Sequence, residues 1–146
     1  MGVIISLDEA IPFFAEIGLA LEGRMMVDGE WAGRVTGVRD QSAEIAMMVT
    51  PDGHSRLELC QFHAPPTPAD HRSHPANALG YQRIMFRVDK LDELLSRLAA
   101  FGAQVVDEVV RYGDTYRLCY IRGVEGLLIG LAEQLETDTA ADILED

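Results

Sequence analysis

An internal repeat with an offset of 84 residues most constrains the fold of this chain. Leu-Asp-Glu occurs at 7–9 and again at 91–93, and Gly18 is matched by Gly102. In each copy the tripeptide opens a segment with apolar residues at helical spacing, and the glycine stands where a helix ends in a left-handed residue. Two anchors that share one offset predict a duplicated module.

The second copy, residues 83–102, shows the pattern most clearly. Apolar residues at every second position of 84–88 predict a half-buried strand. Apolar residues spaced by three and four over 91–101 predict the helix that follows, with Asp89 or Asp92 as its expected N-cap. The order is strand, helix start, helix and helix stop.

Further strands are expected in the same order in both copies. In the first copy, strands are expected at 1–5, 19–28, 43–50 and 54–62 around a helix at 7–17. In the second copy, strands are expected at 81–88, 104–112, 116–122 and 127–134 around the helix at 91–101. Pro12 predicts a kink in the first helix or a later start, and a short helix or a loop is expected around Trp31. The sequence therefore predicts an α+β protein with two βαβββ modules, 1–62 and 81–134.

The two modules are joined by a segment, 64–78, that contains four prolines and is predicted to be an extended linker. We expect residues 1–135 to form a single domain. Residues 136–146 carry five acidic side chains and no basic one, which predicts a disordered acidic tail.

Composition excludes several classes of function. The net charge of −12 argues against nucleic-acid binding, because phosphate neutralisation needs a basic face. The sequence contains no 18-residue apolar run and no recognisable secretory signal, so we expect neither membrane insertion nor secretion. Two cysteines, Cys60 and Cys119, are expected to be reduced thiols of a cytoplasmic protein.

Three motifs in this module order resemble the vicinal oxygen chelate superfamily, the group of glyoxalase I, bleomycin-resistance proteins, extradiol dioxygenases and methylmalonyl-CoA epimerase. They are Asp-Gly-His-Ser-Arg-Leu-Glu-Leu at 52–59, Arg-Ile-Met-Phe-Arg-Val-Asp-Lys-Leu-Asp at 83–92 and Gly-Val-Glu-Gly-Leu-Leu-Ile-Gly-Leu at 123–131. The resemblance covers residues 1 to about 135. It implies a curved mixed sheet around a cleft that binds a small molecule, and pairing of two chains as a homodimer.

The resemblance also implies where a metal would bind. Metalloenzymes of the superfamily usually hold a divalent ion with a His from the first strand and a Glu from the last strand of each module. Glu58 matches one of these four positions, but Arg83 replaces the second His and Gly130 replaces the second Glu. The fourth position falls at or before Met1. Because arginine and glycine offer no ligand atom, we predict no cofactor. A divalent metal, with at most one further ligand from residues before Met1 or held in a non-standard way, is the disfavoured alternative.

In the relatives the positions of Glu58 and Arg83 converge on one ion. Two interpretations stay open: a buried ion pair that joins the modules, or a ligand clamp in which Arg83 binds an anionic group. An acid/base role for Glu58 is the weaker hypothesis, because a nearby Arg83 would lower its pKa. The expected ligand-binding residues are Glu58, Arg83, Met85, Met48 and Tyr120.

The sequence therefore predicts a glyoxalase/bleomycin-resistance/dioxygenase-type protein that binds a small molecule and has a degenerate metal site. The alternative is an enzyme of the same superfamily, a lyase, an isomerase or epimerase, or a dioxygenase, with or without a divalent metal. A structural partner domain without a ligand is a third hypothesis. Zinc is suited by the residue types at four positions, Cys60, His63, His71 and His74. Their proline-rich surroundings instead favour histidines that face the solvent.

Overall fold

The structure, a computed structural model, describes residues 2–80 and 83–136, with the backbone alone for Gly2 and Val3. It divides into two compact units. The first comprises the described residues up to His74 together with Val124–Gly126, and the second comprises the other described residues from Pro75 onward. Each unit contains one sheet.

The first unit has the predicted βαβββ order with one short helix added. Its elements are β1 (Gly2–Ile4), α1 (Leu7–Ile17), β2 (Ala20–Asp28), α2 (Glu30–Thr36), β3 (Ser42–Val49) and β4 (Arg56–Ala64). The strand order is β1-β4-β3-β2, with β1 parallel to β4 and the other pairs antiparallel. The segment around Trp31 is therefore a helix, α2.

The second unit repeats this topology. Its elements are β5 (Ile84–Val88), α3 (Leu91–Ala99), β6 (Gln104–Val105), β7 (Val110–Tyr112), β8 (Tyr116–Arg122) and β9 (Leu128–Gln134). The strand order is β5-β9-β8-β6, β7 also pairs with β8, and β5 is parallel to β9. In both units the first strand lies parallel to the last, so the α+β class and the duplicated topology are confirmed. The strand expected at 104–112 is instead two short strands, β6 and β7.

The two glycines of the repeat end their helices in the same way. The residue after Gly18 donates its N–H to the carbonyl of Phe14 at 3.1 Å, and the residue after Gly102 donates to the carbonyl of Leu98 at 3.2 Å. Both glycines have positive φ, 122° and 82°. This is the Schellman arrangement, in which the left-handed residue turns the chain back over the last helical turn.

The starts of the two helices differ from each other. α1 begins directly after Ser6, whose Oγ accepts the N–H of Glu9 at 3.3 Å, and it continues through Pro12, so the later start is wrong. The carboxylate of Glu125 also accepts the N–H groups of Ile5 and Ser6 at 2.7 and 3.0 Å. A side chain distant in sequence therefore satisfies backbone donors at the N-terminal end of α1.

Neither Asp89 nor Asp92 caps α3, contrary to the sequence prediction. The N-cap is Lys90, with φ of 50° and no capping side chain. The N–H of Leu91 instead donates to the carboxylate of Glu133 in β9 at 3.4 Å. Tertiary structure thus supplies the acceptor that the local sequence was expected to provide.

The register of the first sheet decides which side chains face α1. Met48 is paired with Leu57, and these two residues lie on the same face as Leu59. This face packs against Phe13 and neighbouring side chains of α1 to form a core in which Met48, Leu59 and Phe13 are no more than 1% exposed. Met48 is therefore a core residue, contrary to the prediction that it contacts a ligand.

The second sheet is covered by α3 in the same manner. Leu91, Leu94 and Leu98 of α3 are buried, as are Ile129 and Leu131 of β9. Glu133, which shares its sheet face with these two β9 residues, accepts from the N-terminus of α3 and identifies the helix-covered side. Each unit thus has one helix-covered face and one face turned away from its helix.

Three further expectations lie partly outside the described residues. Tyr81 and Gln82, placed at the start of a strand by the sequence, are not described, and β5 begins at Ile84. Of the expected acidic tail, residues 137–146 are not described, and the single domain over 1–135 stays a prediction. Residues 65–80 contain turns but no helix or strand.

No helix among the described residues is long and apolar enough to cross a membrane.

Candidate functional site

The face of the second sheet opposite α3 carries four of the residues that the sequence singled out. Residues alternate between faces along a strand, and paired residues share a face. Met85 is paired with Gly130, and Gly130 with Tyr120, so these three lie side by side. Arg83 precedes β5 by one residue and reaches the same face. Met85 is 52% exposed and Tyr120 is half-buried.

Arg83 and Tyr120 form the polar centre of this face. The Nε of Arg83 donates to the hydroxyl oxygen of Tyr120 at 2.7 Å, and the guanidinium carbon lies 5.2 Å from the centroid of the tyrosine ring. The Nη1 of Arg83 donates to the backbone carbonyl of Ala76 at 3.4 Å. These contacts orient an exposed arginine that would otherwise sample many rotamers.

The absence of a side chain at Gly130 has a structural reason. A Cβ atom at this position would lie 2.9 Å from Cε1 of Tyr120, and 3.0 and 3.2 Å from Cε and Cβ of Met85. The space next to the backbone of β9 is therefore filled by the side chains of its two neighbouring strands. We call Arg83, Met85, Tyr120 and Gly130 the arginine–tyrosine cluster.

The arginine–tyrosine cluster presents hydrogen-bond donors. Because the phenolic oxygen of Tyr120 accepts from Arg83, its own proton is directed away from the guanidinium and can be donated to a ligand. Arg83 has five N–H donors and uses two in the contacts above. Met85 adds a polarizable apolar surface beside them. The chemistry suits an oxygen-rich anionic group with a small apolar part.

Glu58 lies in the first unit, on the face of its sheet opposite α1. Its flanking residues Leu57 and Leu59 face α1, and Glu58 is paired with Met47 on the other side. Among the described residues of the first unit, none forms a hydrogen bond or an ion pair with the Glu58 carboxylate. Cys60 follows on the same face, where burial and the charge of Glu58 raise the pKa of its thiol.

The predicted ligand-binding residues are thus only partly brought together. Arg83, Met85 and Tyr120 form one cluster in the second unit. Met48 and Glu58 belong to the first unit and lie on opposite faces of its sheet, so those two cannot line one pocket. The hypothesis of an ion pair or clamp between Glu58 and Arg83 stays a prediction.

Two of the residues at the expected metal positions, Arg83 and Gly130, offer no ligand atom. Arg83 is a permanent cation, and the place of a side chain at Gly130 is taken by Tyr120 and Met85. Among residues 2–80 and 83–136, no group of three or more His, Cys, Asp and Glu side chains is placed to hold an ion. The four-ligand zinc arrangement considered above is therefore not assembled, and one of its members, Cys60, is 3% exposed.

The sequence did not predict a surface cavity of about 1040 Å³ beside α2 in the first unit. Its lining residues are Gly29, Glu30, Gly33, Arg34, Gly37, Arg39, Asp40 and Gln41. The segment lacks a clear hydrophobic period, so no signal marked it. We do not place the functional site here, because the lining has no apolar or aromatic side chain, whereas small-molecule sites are mostly apolar with a few polar groups.

Comparison with known proteins supports the family membership that the sequence motifs predict. The sequence model of the glyoxalase/bleomycin resistance protein/dioxygenase superfamily matches residues 4–131. A search of curated proteins gave no match. A glyoxalase family protein from Bacillus cereus is similar in structure, with 67% sequence identity, a TM-score of 0.89, and coverage of 92% of this chain and 90% of that one.

Two more distant structures share the fold. A glyoxylase/bleomycin resistance protein/dioxygenase domain from Frankia sp. EAN1pec has 20% identity and a TM-score of 0.63, covering 92% of this chain and 87% of that one. The trypanothione-dependent glyoxalase I of Leishmania major has 16% identity and a TM-score of 0.60, covering 90% and 81%. By its family match and its fold, the chain belongs to the glyoxalase/bleomycin resistance protein/dioxygenase superfamily.

Proposed function

We propose that this protein binds a small anionic molecule at the arginine–tyrosine cluster and does so without a divalent metal at the family's metal positions. The observation that carries the proposal is at Gly130. The space of the missing side chain is filled by Tyr120 and Met85, and the hydroxyl of Tyr120 is bound by Arg83. These contacts support a cationic donor cluster at the positions where the family resemblance leads us to expect metal ligands.

The charge of the cluster defines the ligand class. A guanidinium matches the two oxygens of a carboxylate, or two of a phosphate, with parallel N–H donors. The body of the protein is acidic, with a net charge of −12 for the whole chain, so a general attraction for anions does not explain binding. Recognition depends on the local geometry of Arg83 and Tyr120.

The test is calorimetric titration of wild-type protein and Arg83→Ala with oxalate, pyruvate and inorganic phosphate as probes. We expect wild type to bind at least one probe and Arg83→Ala to lose that binding. Because Arg83 is exposed, thermal unfolding should show a stability loss below about 1 kcal/mol. Native mass spectrometry of freshly purified protein should also reveal any ligand that stays bound.

Arg111→Ala is the matched control, since Arg111 is an exposed arginine of the same unit whose ion pair is with Asp114. It should bind the same probes as wild type. Equal weakening in Arg83→Ala and Arg111→Ala would mean that binding reflects net charge and would refute the proposed site. Wild type that binds none of the probes and carries no co-purified molecule would count against the function.

A superfamily enzyme that uses Glu58 is the second candidate. It is favoured by the position of Glu58, a half-buried carboxylate that matches a metal-ligand position of the family. Elemental analysis of protein purified without chelators tests it. Near-stoichiometric metal that disappears in Glu58→Gln would support the enzyme and exclude metal-free binding as the whole function.

The proposal extends to assembly as a homodimer. β2 is a nine-residue strand at the edge of the first sheet and exposes Leu21, Met25 and Met26 by 45–56%. A long apolar edge strand is a template for pairing with another chain. Light scattering should give about twice the chain mass of 16.1 kDa; a stable monomer at micromolar concentration would refute this part.

A cytoplasmic location is also part of the proposal. Both Cys60 and Cys119 are free thiols, as expected in a reducing compartment. Fractionation of cells that express the protein from its own gene tests the location, and recovery from an oxidising compartment would contradict it.

A further inference from the structure

Two histidines lie side by side in the segment between β4 and β5. The N–H of His74 donates to the carbonyl of His71 at 3.3 Å, which closes a four-residue turn. The two rings then lie with centroids 5.0 Å apart, and Nδ1 of His71 and Nε2 of His74 share a hydrogen bond of 3.2 Å, whose proton a bound metal would replace. Both side chains are exposed.

The turn is held in place by Arg72, one of the two residues between the histidines. The guanidinium of Arg72 donates to the carboxylate of Asp70 at 2.9 and 2.6 Å and to that of Glu125 at 2.9 Å. Asp70 also accepts the backbone N–H of Arg72 at 3.0 Å. Because Glu125 is itself bound to the N-terminal end of α1, the turn is anchored to the body of the first unit.

The separation of the two nitrogens fits a shared metal ion. With metal–nitrogen bonds of about 2.0–2.1 Å, two ligands are about 3.3 Å apart in a tetrahedral site and about 2.9 Å apart at a right angle. The distance between His71 and His74, 3.2 Å, lies between these values. We propose that His71 and His74 form a two-imidazole chelate for a divalent transition metal of the Zn²⁺, Ni²⁺ or Cu²⁺ type.

The donor chemistry sets the class of ion. Imidazole suits zinc, nickel and copper, whereas calcium and magnesium require several oxygen ligands. Water would complete the coordination sphere, because the described part of the chain offers no third His, Cys, Asp or Glu ligand here. Asp70 contributes negative charge near His71 without ligation, because Arg72 donates to both of its carboxylate oxygens at 2.9 and 2.6 Å.

This chelate is separate from the site proposed for the anionic ligand. It involves neither Glu58 nor Arg83, and metal bound here would survive Glu58→Gln. A metal site at the family positions and the chelate can therefore be distinguished by substitution.

The experiment is calorimetric titration of the untagged full chain with Zn²⁺ and Ni²⁺ after removal of trace metal. We expect one ion per chain. His71→Ala and His74→Ala should each lower the affinity by about tenfold or more, because two tethered ligands act as a chelate and one does not. The double variant should lose little beyond either single one.

His54→Ala and His63→Ala are the matched controls, since both remove an exposed histidine from the same unit. They should bind as wild type does. Electron paramagnetic resonance of the Cu²⁺-loaded wild type should show coupling to two imidazole nitrogens, a readout that requires no variant. Unchanged affinity in both single variants, an equal loss in the controls, or coupling to a single nitrogen would overturn the proposal.

Discussion

Cε1 of Tyr120 lies 2.9 Å from the position that a Cβ atom would take at Gly130. Real Cβ atoms do not approach another carbon so closely, so a side chain at residue 130 and the present position of the Tyr120 ring exclude one another. The hydroxyl oxygen of the same tyrosine accepts the hydrogen bond from Nε of Arg83. A side chain at residue 130 would therefore disturb the tyrosine that accepts from Arg83.

The first prediction concerns this close contact. Gly130→Ala should destabilise the protein by about 1–3 kcal/mol, because the added methyl displaces Tyr120 or Met85. Denaturant unfolding measures the loss. Gly130→Ala combined with Tyr120→Ala should cost less than the sum of the two single changes, because the clash is then partly relieved. Additive costs would mean that the two residues do not compete for the same space.

The second prediction separates the two adjacent methionines of β3. Met48 is fully buried on the face toward α1, and Met47 is half-buried on the opposite face. Met48→Ala should cost about 2–5 kcal/mol of stability through loss of apolar contact and formation of a cavity. Met47→Ala, the matched control, should cost no more than about 1 kcal/mol. Equal costs in thermal or denaturant unfolding would contradict the register of β3.

The third prediction concerns stability in acid. The Arg117 guanidinium, which binds Asp92 at 2.8 Å, lowers the pKa of that carboxyl. A carboxyl with a lower pKa in the folded state contributes stability above its unfolded pKa, about 3.9, and loses it as the pH falls through the folded pKa. The difference in Tm between wild type and Asp92→Asn should therefore be present at pH 7 and vanish in strong acid.

Glu93→Gln is the control for that measurement. Glu93 lies next to Asp92 in the first turn of α3 and experiences the same helix dipole. If Asp92→Asn and Glu93→Gln show the same dependence of Tm on pH, the dipole explains the effect and the Arg117 contact does not.

The fourth prediction concerns the thiols. Burial raises the pKa of Cys60 and of Cys119, and each side chain is 3% exposed. Since the thiolate is the reactive form, both should react slowly with Ellman's reagent in the native protein near neutral pH and rapidly in guanidinium chloride. Cys60→Ser and Cys119→Ser separate the labelling rates of the two thiols. Complete and immediate labelling of native protein would contradict the burial of at least one thiol.

Much of the architecture follows from local sequence. Apolar residues at helical spacing predict α1 and α3. Gly18 and Gly102 predict where these helices end, because glycine adopts the left-handed backbone conformation at little energetic cost. The duplicated offset predicts that the two halves share a topology. These features depend on residues close together along the chain, so the sequence expresses them directly.

The candidate site could be predicted only in part. Arg83, Met85 and Tyr120 were identified and do lie together, since alternation along β5 and β8 sends them to one face. Met48, which was expected among the ligand-binding residues, is instead buried on the face toward α1. The strand sequence around it is apolar on both sides, so its period does not fix which residues face the helix, and a shift of one residue exchanges the faces.

The repeated module and the family can therefore be inferred from the sequence alone, whereas the loss of two metal ligands at Arg83 and Gly130 stays a prediction. Tertiary structure decided three other features. Tyr120 and Met85 fill the space at Gly130, Glu133 replaces the expected cap of α3, and Glu125 holds both the start of α1 and Arg72. Each depends on side chains far apart in the chain, and only the paired strands and closed loops bring their atoms within a few ångströms.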